Sequence, residues 1–335
     1  MNMADTDKTN AATVFRYYLR NPVDFLIKYG LFAILFAMVA FFSIRTRHFF
    51  SINNFRNILI AVSVIGVIST SMTAAIIGRG PDLTVGSVVA ITGCIIGNLV
   101  LMNGQPWFVG VIVALLAGVL IGFLNGIIIV KFDLSSLIVT LGMMNVVRGL
   151  SFLLVGGTAR FINDYRLLYL GRASWFGIPL PIIIVLLSFL VFDFLLRSTV
   201  FGRQVFSSGG NRTAARLAGI DVNKNTIALF VLSGFMASIS GLMIIGIGGA
   251  AMPYVGEAYA LDAVTAVLLG GTTLAGGRGS VRMTLLGVLI IGILNNGMTL
   301  MNVQTYWQIT AKGAFLLLAI ILDSLQHKRK ISIAK

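Results

Sequence analysis

The sequence contains little charge and therefore little of the polar surface that a soluble protein needs. Charged residues make up 11% of the 335 residues, and 57% of the residues are hydrophobic. A globular domain carries about 25% charged residues. The mean hydropathy of +0.96 agrees with this imbalance. Composition thus predicts an all-α integral membrane protein, because each helix needs roughly 20 apolar residues to cross a bilayer.

The scarce residue types also exclude several kinds of site. The single cysteine, Cys94, cannot form an internal disulfide or a cysteine metal cluster. The two histidines, His48 and His327, have no partner at the spacing of a metal site. The glycine-rich run Gly270–Ser280 lacks the lysine of a phosphate-binding loop and is interpreted as a turn or a close helix contact. A membrane-embedded enzyme is disfavoured, and no cofactor is expected in this chain.

Positive charge exceeds negative charge by a wide margin. The chain has 25 Lys and Arg against 11 Asp and Glu, for a formal net charge of +14. Such an excess is also found in nucleic-acid-binding proteins, but here the cations lie in short segments between apolar runs. The pattern is interpreted as a positive-inside bias with attraction to anionic membrane lipid, and no nucleic acid is expected as a partner.

Ten apolar runs predict about ten transmembrane helices. The runs cover residues 29–44, 57–77, 84–102, 107–130, 136–155, 177–196, 226–248, 260–274, 283–301 and 306–324. Several are short or interrupted by glycine, which suggests broken or re-entrant helices that line a cavity. The N-terminal segment shows no cleavage signal, so the first run is expected to remain a span.

The distribution of Lys and Arg predicts the orientation. If all ten runs cross and the N-terminus is inside, the outside segments hold only Arg45, Arg47, Arg56, Arg160, Arg166 and Arg172, while Arg148 and Lys312 fall within spans. The other cations lie inside, so both termini are expected on the cytoplasmic side of the inner membrane. The chain then divides into a cytoplasmic tail (1–28), a membrane domain (29–325) with a long cytoplasmic loop (198–225), and a basic tail (326–335).

Two pairs of similar segments indicate an internal repeat. Asn57–Ile77 (NILIAVSVIGVISTSMTAAII) resembles Asn225–Ile245 (NTIALFVLSGFMASISGLMII), and Gly118–Val130 resembles Gly287–Met301. Five predicted spans separate the copies, so the copies are expected to run in opposite directions. Transporters build a central pathway from such inverted repeats. The alternative is chance similarity between helices rich in glycine and leucine.

Polar residues within or beside the apolar runs are candidates for a substrate pathway. They are Asp82, Asn125, Asp262, Asn295 and Asn296. A polar group at membrane depth is costly and usually faces a partner or a wet cavity. Two structural alternatives remain open: helix N-caps for the two aspartates, and hydrogen bonds between helices for the asparagines.

The long loop contains a predicted short helix, NRTAARLAGI. Asn211 is its expected N-cap and Gly219 its expected stop. Arg212 and Arg216 lie one turn apart, and Ala215 is small enough to permit close approach to another surface. Such a helix can lie on lipid or dock in a groove on another protein. Docking is favoured, because the helix lacks the bulky Trp or Phe of a lipid-surface helix.

This loop also carries a family resemblance. GGNRTAARLAGIDVNKN (209–225) is similar to the coupling loop of ribose-type permeases of bacterial ABC sugar importers. LIVTLGMMNVVRGL (137–150) resembles that family's fifth-span segment, and residues 261–281 and 292–303 resemble its C-terminal half. The resemblance implies a type II-like importer fold of about ten spans per subunit. It also implies a second permease subunit in a homo- or heterodimer, a cytoplasmic ABC ATPase that holds ATP and Mg²⁺, and a periplasmic sugar-binding protein.

One segment departs from the family pattern. The family usually reads G-G-x-D-L-S-x-G-S where this chain has RGPDLTVGS (79–87), so Arg79 replaces a glycine and Pro81 an aliphatic residue. Because of this departure, the resemblance does not fix the identity of the substrate or the backbone conformation of this segment.

Residues and resemblance together predict the permease subunit of an ATP-driven importer of a monosaccharide or sugar-like solute. A permease for nucleosides or other small polar solutes is the alternative. A secondary transporter without an ATPase belongs to a different class. It is disfavoured because the spans contain few ionisable residues.

Overall fold

Helices form nearly all of the described structure. A computed structural model describes the backbone of residues 22–333 and the side chains of residues 30–321. The predicted tails at 1–28 and 326–335 lie outside the described side chains, although helical backbone extends into both. The helices are α1 Pro22–Arg45, α2 Ile52–Ile77, α3 Val85–Ile96 with a π-helical continuation Gly97–Met102, α4 Trp107–Phe132, α5 Ser136–Val155, α6 Tyr165–Arg172, α7 Leu180–Ser198, α8 Val200–Gly210, α9 Arg212–Leu217, α10 Val222–Gly248, α11 Tyr259–Leu269, α12 Val281–Leu300 and α13 Thr305–Ile333.

Each predicted span corresponds to a helix, but one helix is much shorter than expected. Among the described residues, 7 helices are long and apolar enough to cross a membrane, namely α2, α3 with its continuation, α4, α5, α7, α10 and α12. The predicted span 260–274 is corrected to α11, which has only 11 residues. At 1.5 Å per residue it reaches about 16 Å, roughly half of the hydrocarbon core. Irregular residues 252–258 precede it, in keeping with the expected broken helix.

The two similar segment pairs occupy equivalent places in the fold. A Cβ added to Gly122 of α4 would meet Phe230 of α10, and one added to Gly292 of α12 would meet Val62 of α2. Phe230 and Val62 hold the same position in the first segment pair, and Gly122 and Gly292 stand the same distance before Asn125 and Asn295 in the second. Chance similarity between helices would not produce matching contacts. The inverted repeat is therefore confirmed.

The repeat-related helices α2 and α10 pack against each other in opposite directions. The hydroxyl of Ser240 in α10 donates to the carbonyl O of Val64 at 3.1 Å. Leu229, near the start of α10, lies instead beside Gly78, just after the end of α2. The antiparallel arrangement agrees with the orientation predicted from the spacing of the copies.

The Gly122 contact yields a stability prediction. A Cβ at Gly122 would lie 2.1 Å from the backbone O of Phe230, which cannot move without shifting α10. We expect Gly122→Ala to destabilise the protein by about 1–3 kcal/mol, because overpacking forces the backbones apart. Gly313→Ala in α13 is the matched control, since nothing lies within 4 Å of the added methyl group. Thermal unfolding of the purified full chain checks this, and equal melting temperatures for the two variants would contradict it.

The connecting segments fall at two ends of the molecule. At one end, the backbone N of Gly277 donates to Ile77 O at 2.8 Å, and Arg79 donates to Gly210 O at 2.9 Å. At the other end, β1 (Arg160–Phe161) pairs antiparallel with β4 (Ala250–Ala251). A short hairpin pairs β2 (Ser174–Trp175) with β3 (Ile178–Pro179).

The glycine-rich run 270–280 forms a tight turn at the first of these ends. Gly276 and Gly277 have φ angles of 78° and 71°. A Cβ on Gly277 would lie 2.6 Å from the Cα of Gly210. Both properties favour glycine, and they confirm the interpretation of this run as a turn with close packing.

Candidate functional site

Asp82 and Asn125 are joined by a buried chain of hydrogen bonds. Asp82 Oδ1 accepts from the backbone N of Thr84 at 2.9 Å and also from the Thr84 hydroxyl. The Thr84 hydroxyl oxygen accepts from Nδ2 of Asn125 at 3.1 Å. The N-cap of α3 is Thr84, so Asp82 is not the helix cap but holds the turn before it. Sequence reasoning did not identify Thr84 as a member of this site, although Thr84 follows Asp82 by two residues.

This cluster retains unused polar atoms. Asp82 Oδ2, Asn125 Oδ1 and Ser233 Oγ are buried and make no hydrogen bond of standard length among the described residues, although the Ser233 hydroxyl lies near the Asp82 carboxylate. Each unsatisfied buried polar group costs about 1–3 kcal/mol. Asp82 and Asn125 have no exposed surface in this conformation. The cluster therefore offers two acceptor oxygens that hydroxyl donors could satisfy once the surrounding segments move.

Asp262 lies elsewhere and is paired with a lysine. Nζ of Lys312 in α13 donates to Asp262 Oδ2 at 2.8 Å. The Lys312 side chain is 23% exposed and the Asp262 side chain is 5% exposed. The N-cap of α11 is Ala258, so Asp262 is not its cap. Sequence reasoning placed Lys312 within a span but did not find its partner, because the two residues are 50 positions apart with α12 between their helices.

The two remaining asparagines, Asn295 and Asn296, differ in their hydrogen bonding. Asn296 Nδ2 donates to Asn54 Oδ1 at 2.9 Å, and Asn54 Nδ2 donates to Asn296 Oδ1 at 3.0 Å. This reciprocal pair joins α12 to α2, which agrees with the alternative of interhelical hydrogen bonding. Asn295 Oδ1 is buried and has no partner among the described residues. The five predicted pathway residues are thus distributed over separate locations and do not form one site.

The N-terminal ends of α3 and α11 meet inside the membrane domain. A Cβ on Gly86 would lie 2.2 Å from the carbonyl O of Gly256, so the backbones touch where no side chain fits. These two glycines are separated by the same interval along the chain as Asn125 and Asn295. The contact therefore lies close to the axis that relates the repeats. Helix N-terminal ends inside a membrane domain are a recurrent feature of transporter substrate sites.

Arg148 ties α5 to the segment that leads into α11. Its Nη1 donates to the carbonyl oxygens of Pro253 at 2.7 Å and Val255 at 2.8 Å. An arginine inside a span is costly and marks a functional or positioning role. Sequence reasoning noted this charge within a span and assigned it no role. The position of Arg148 inside a predicted span was the feature of the sequence that indicated such a role.

The short loop helix α9 has the predicted ends. Asn211 Oδ1 accepts from the backbone N of Ala214 at 3.0 Å, and Gly219 has a φ of 79°. Leu217 and Arg216 point outward, with Leu217 86% exposed. Ala215 is only 4% exposed and faces its own protein, so it does not lie on the docking surface expected from the sequence.

Arg79 adopts a backbone conformation that glycine favours. Its φ is 64°, in the left-handed region, at the position where the resembled family usually has glycine. A non-glycine residue there costs roughly 1–2 kcal/mol. Its Nη2 donates to the carbonyl O of Gly210, next to the N-cap of α9, at 2.9 Å. The arginine thereby connects the Asp82 segment to the loop that carries α9.

Comparison with known proteins gives a consistent picture. Residues 54–322 match the family described as the permease component of branched-chain amino acid transport systems. The chain is 38% identical over 311 residues to the ribose import permease protein of Haemophilus influenzae, with 92% of this chain and 96% of that one covered. It is 36% identical over 298 residues to the ribose import permease protein of Bacillus subtilis, covering 88% and 92%.

A further relative is named for another pentose. The chain is 36% identical over 301 residues to the L-arabinose ABC transporter permease protein of Azospirillum brasilense, covering 90% of this chain and 88% of that one. No solved structure matches the chain.

Proposed function

The chain belongs to the family of transport-system permease components, and from this we propose that it is the permease subunit of an ATP-driven importer of a monosaccharide. The observation that carries the proposal is the identity of 36% or more, over most of both chains, to permeases named for ribose import and for L-arabinose transport. Members of this family are transport components and not enzymes.

The inverted repeat supports transport by alternating access. Repeat-related halves can rock against each other about the contact between Gly86 and Gly256. The unused oxygens of Asp82 and Asn125 then provide acceptors for the hydroxyl groups of a sugar. Because both residues are fully buried here, we propose that solute reaches them only when segments 78–84 and 252–258 move apart.

The ATPase is proposed to dock on α9. Leu217 offers an exposed apolar anchor, and the neighbouring Arg216 offers a cation for carboxylates on the partner. Asn211 and Gly219 set the two ends of this helix. Movement of α9 would reach the Asp82 segment through the bond between Arg79 and Gly210. ATP and Mg²⁺ would be held by the ATPase, not by this chain.

The positive-inside bias supports the proposed orientation. The end that carries α9 also holds Arg79, Lys131, Arg203, Arg216 and Arg278. We propose that this end and both termini lie on the cytoplasmic side of the inner membrane. A periplasmic sugar-binding protein would then dock at the opposite end, where β1 and β4 pair.

A second permease subunit is proposed to cover one face of α5. Asn145 is exposed on this helix, and within the described side chains its amide donates only to the carbonyl O of Leu141 in its own helix. Gly142 and Gly149 lie on the same side with open space around them. An amide that faces lipid is unfavourable, whereas small residues permit close helix packing.

Reconstituted uptake tests the proposed function. The full chain would be placed in liposomes with the ATPase and binding protein encoded beside it, and entry of labelled ribose and arabinose would be measured. We expect uptake that requires both ATP and the binding protein. Uptake driven by a proton gradient without the ATPase would indicate a secondary transporter. Competition by a nucleoside or leucine, but not by either pentose, would overturn the sugar assignment.

A further inference from the structure

A cationic cavity opens at the end of the molecule that carries α9. Its volume is about 260 Å³, and its lining includes Arg79, Ser135, Ser136, Arg212 and Thr226. The apolar part of the lining comes from α4, α10 and the α4–α5 connection, and no acidic side chain is among the lining residues. Guanidinium and hydroxyl groups around an open space of this size favour an anionic ligand.

The first turn of α5 faces this cavity without a cap. Its N-cap residue, Ser135, makes no side-chain capping hydrogen bond, so the first amide groups of the helix remain available. Ser136 is 7% exposed and lines the cavity, yet its hydroxyl has no partner among the described residues. The hydroxyl of this largely buried residue is open to the cavity beside free amides at a helix N-terminus, a combination that suits an anionic acceptor.

Arg212 is the second unpaired group at the cavity. It is half-buried and takes part in no hydrogen bond or ion pair within the described side chains. Burial lowers the pKa of its guanidinium, and the neighbouring Arg216 and Arg79 lower it further, while Asp133 raises it. Asp133 is the acidic group near this cluster, but it forms no ion pair with Arg212. The concentration of like charge would be relieved by a bound anion.

We propose that this cavity binds a phosphate group, which is either free in solution or part of a lipid headgroup. The donors are Arg79, Arg212, the Ser136 hydroxyl and the first amides of α5. They belong to three separate elements (the segment before α3, the helix α9 and the start of α5), which suits a tetrahedral anion with several acceptor oxygens. Because Arg79 precedes the Asp82 segment and Arg212 belongs to α9, a bound phosphate would hold these two parts together. The proposal rests on this geometry and does not depend on which solute is imported.

Thermal unfolding of the purified full chain tests the proposal in two arms. In detergent, inorganic phosphate is titrated against chloride at constant ionic strength. In nanodiscs, phosphatidylcholine alone is compared with a mixture that contains phosphatidylglycerol. We expect a saturable rise in melting temperature of about 2–4 °C in at least one arm, since a ligand that binds only the folded state stabilises it. A rise with inorganic phosphate identifies a free phosphate site, and a rise only with phosphatidylglycerol identifies a headgroup site.

Three variants make the result specific. Arg212→Gln and Ser136→Ala are each expected to remove at least half of the rise, because each deletes a donor in the cavity. Arg203→Gln removes an exposed arginine of α8 that does not line the cavity, and should keep the full rise. If Arg212→Gln fails to fold, Ser136→Ala alone decides. No rise in either arm, or an equal rise in the wild type and Ser136→Ala, would overturn the proposal.

Discussion

Leu217→Asp is expected to reduce ATP-driven uptake at least about tenfold, because buried apolar anchors dominate the energy of protein interfaces. Leu217 is 86% exposed in this chain, so the substitution breaks no contact within the permease. A carboxylate at this position would instead have to enter the groove of the ATPase without a partner. The loss should therefore come from failed coupling, with a normal amount of permease in the membrane.

Two measurements separate coupling from folding. Co-purification with the ATPase, and ATP hydrolysis stimulated by sugar and binding protein, should both fall in Leu217→Asp. Val200→Asp is the matched control, since Val200 is 59% exposed on the neighbouring α8. Wild-type uptake and ATPase association in Leu217→Asp would show that α9 is not the docking element.

Other positions of α9 would not give a clear answer. Ala215→Glu would place a charge inside the permease, because Ala215 is 4% exposed. Gly219→Asp would place a side chain at a φ of 79°, which strains the backbone. Both variants would test folding in addition to docking.

Lys312→Met is expected to destabilise the protein by about 3 kcal/mol, because it leaves the Asp262 carboxylate buried without its partner. This figure is at the low end for buried pairs, since the lysine side chain remains 23% exposed. The double variant Asp262→Leu/Lys312→Met should recover most of the loss, because it removes both buried charges. Melting temperature and the amount of protein in the membrane measure the effect.

An exposed ion pair serves as the control for this cycle. Arg282 donates to Asp193 at 2.8 Å, but its side chain is 66% exposed. Arg282→Met should therefore change stability by less than about 1 kcal/mol. A Lys312→Met variant as stable as the wild type would contradict the prediction. The prediction would also be contradicted if the stability lost by the double variant equalled the sum of the losses of Asp262→Leu and Lys312→Met.

Local features of this protein could be predicted from the sequence alone. Apolar runs located ten helices because burial in lipid requires a continuous apolar stretch. Asn211 and Gly219 marked the ends of α9 because caps depend on the chemistry of a few adjacent residues. The inverted repeat was visible for a related reason, since both copies keep the glycines that permit close packing, such as Gly122 and Gly292.

The length of α11 could not be predicted from the sequence. Uncharged residues continue beyond Leu269 to Leu274, but Gly271, with a φ of 78°, turns the chain away from the helix. Hydropathy alone does not report such a turn, because it records how apolar a residue is and not the conformation of its backbone.

Only the tertiary structure decided which polar groups meet. Asp262 pairs with Lys312, and Asn296 with Asn54, although long stretches of sequence separate the partners. The same holds for the burial of Ala215, which depends on which side of α9 faces the protein. These pairings are set by the rotation and relative height of packed helices. Rotation and height result from many side-chain contacts at once, and no single segment of sequence contains them.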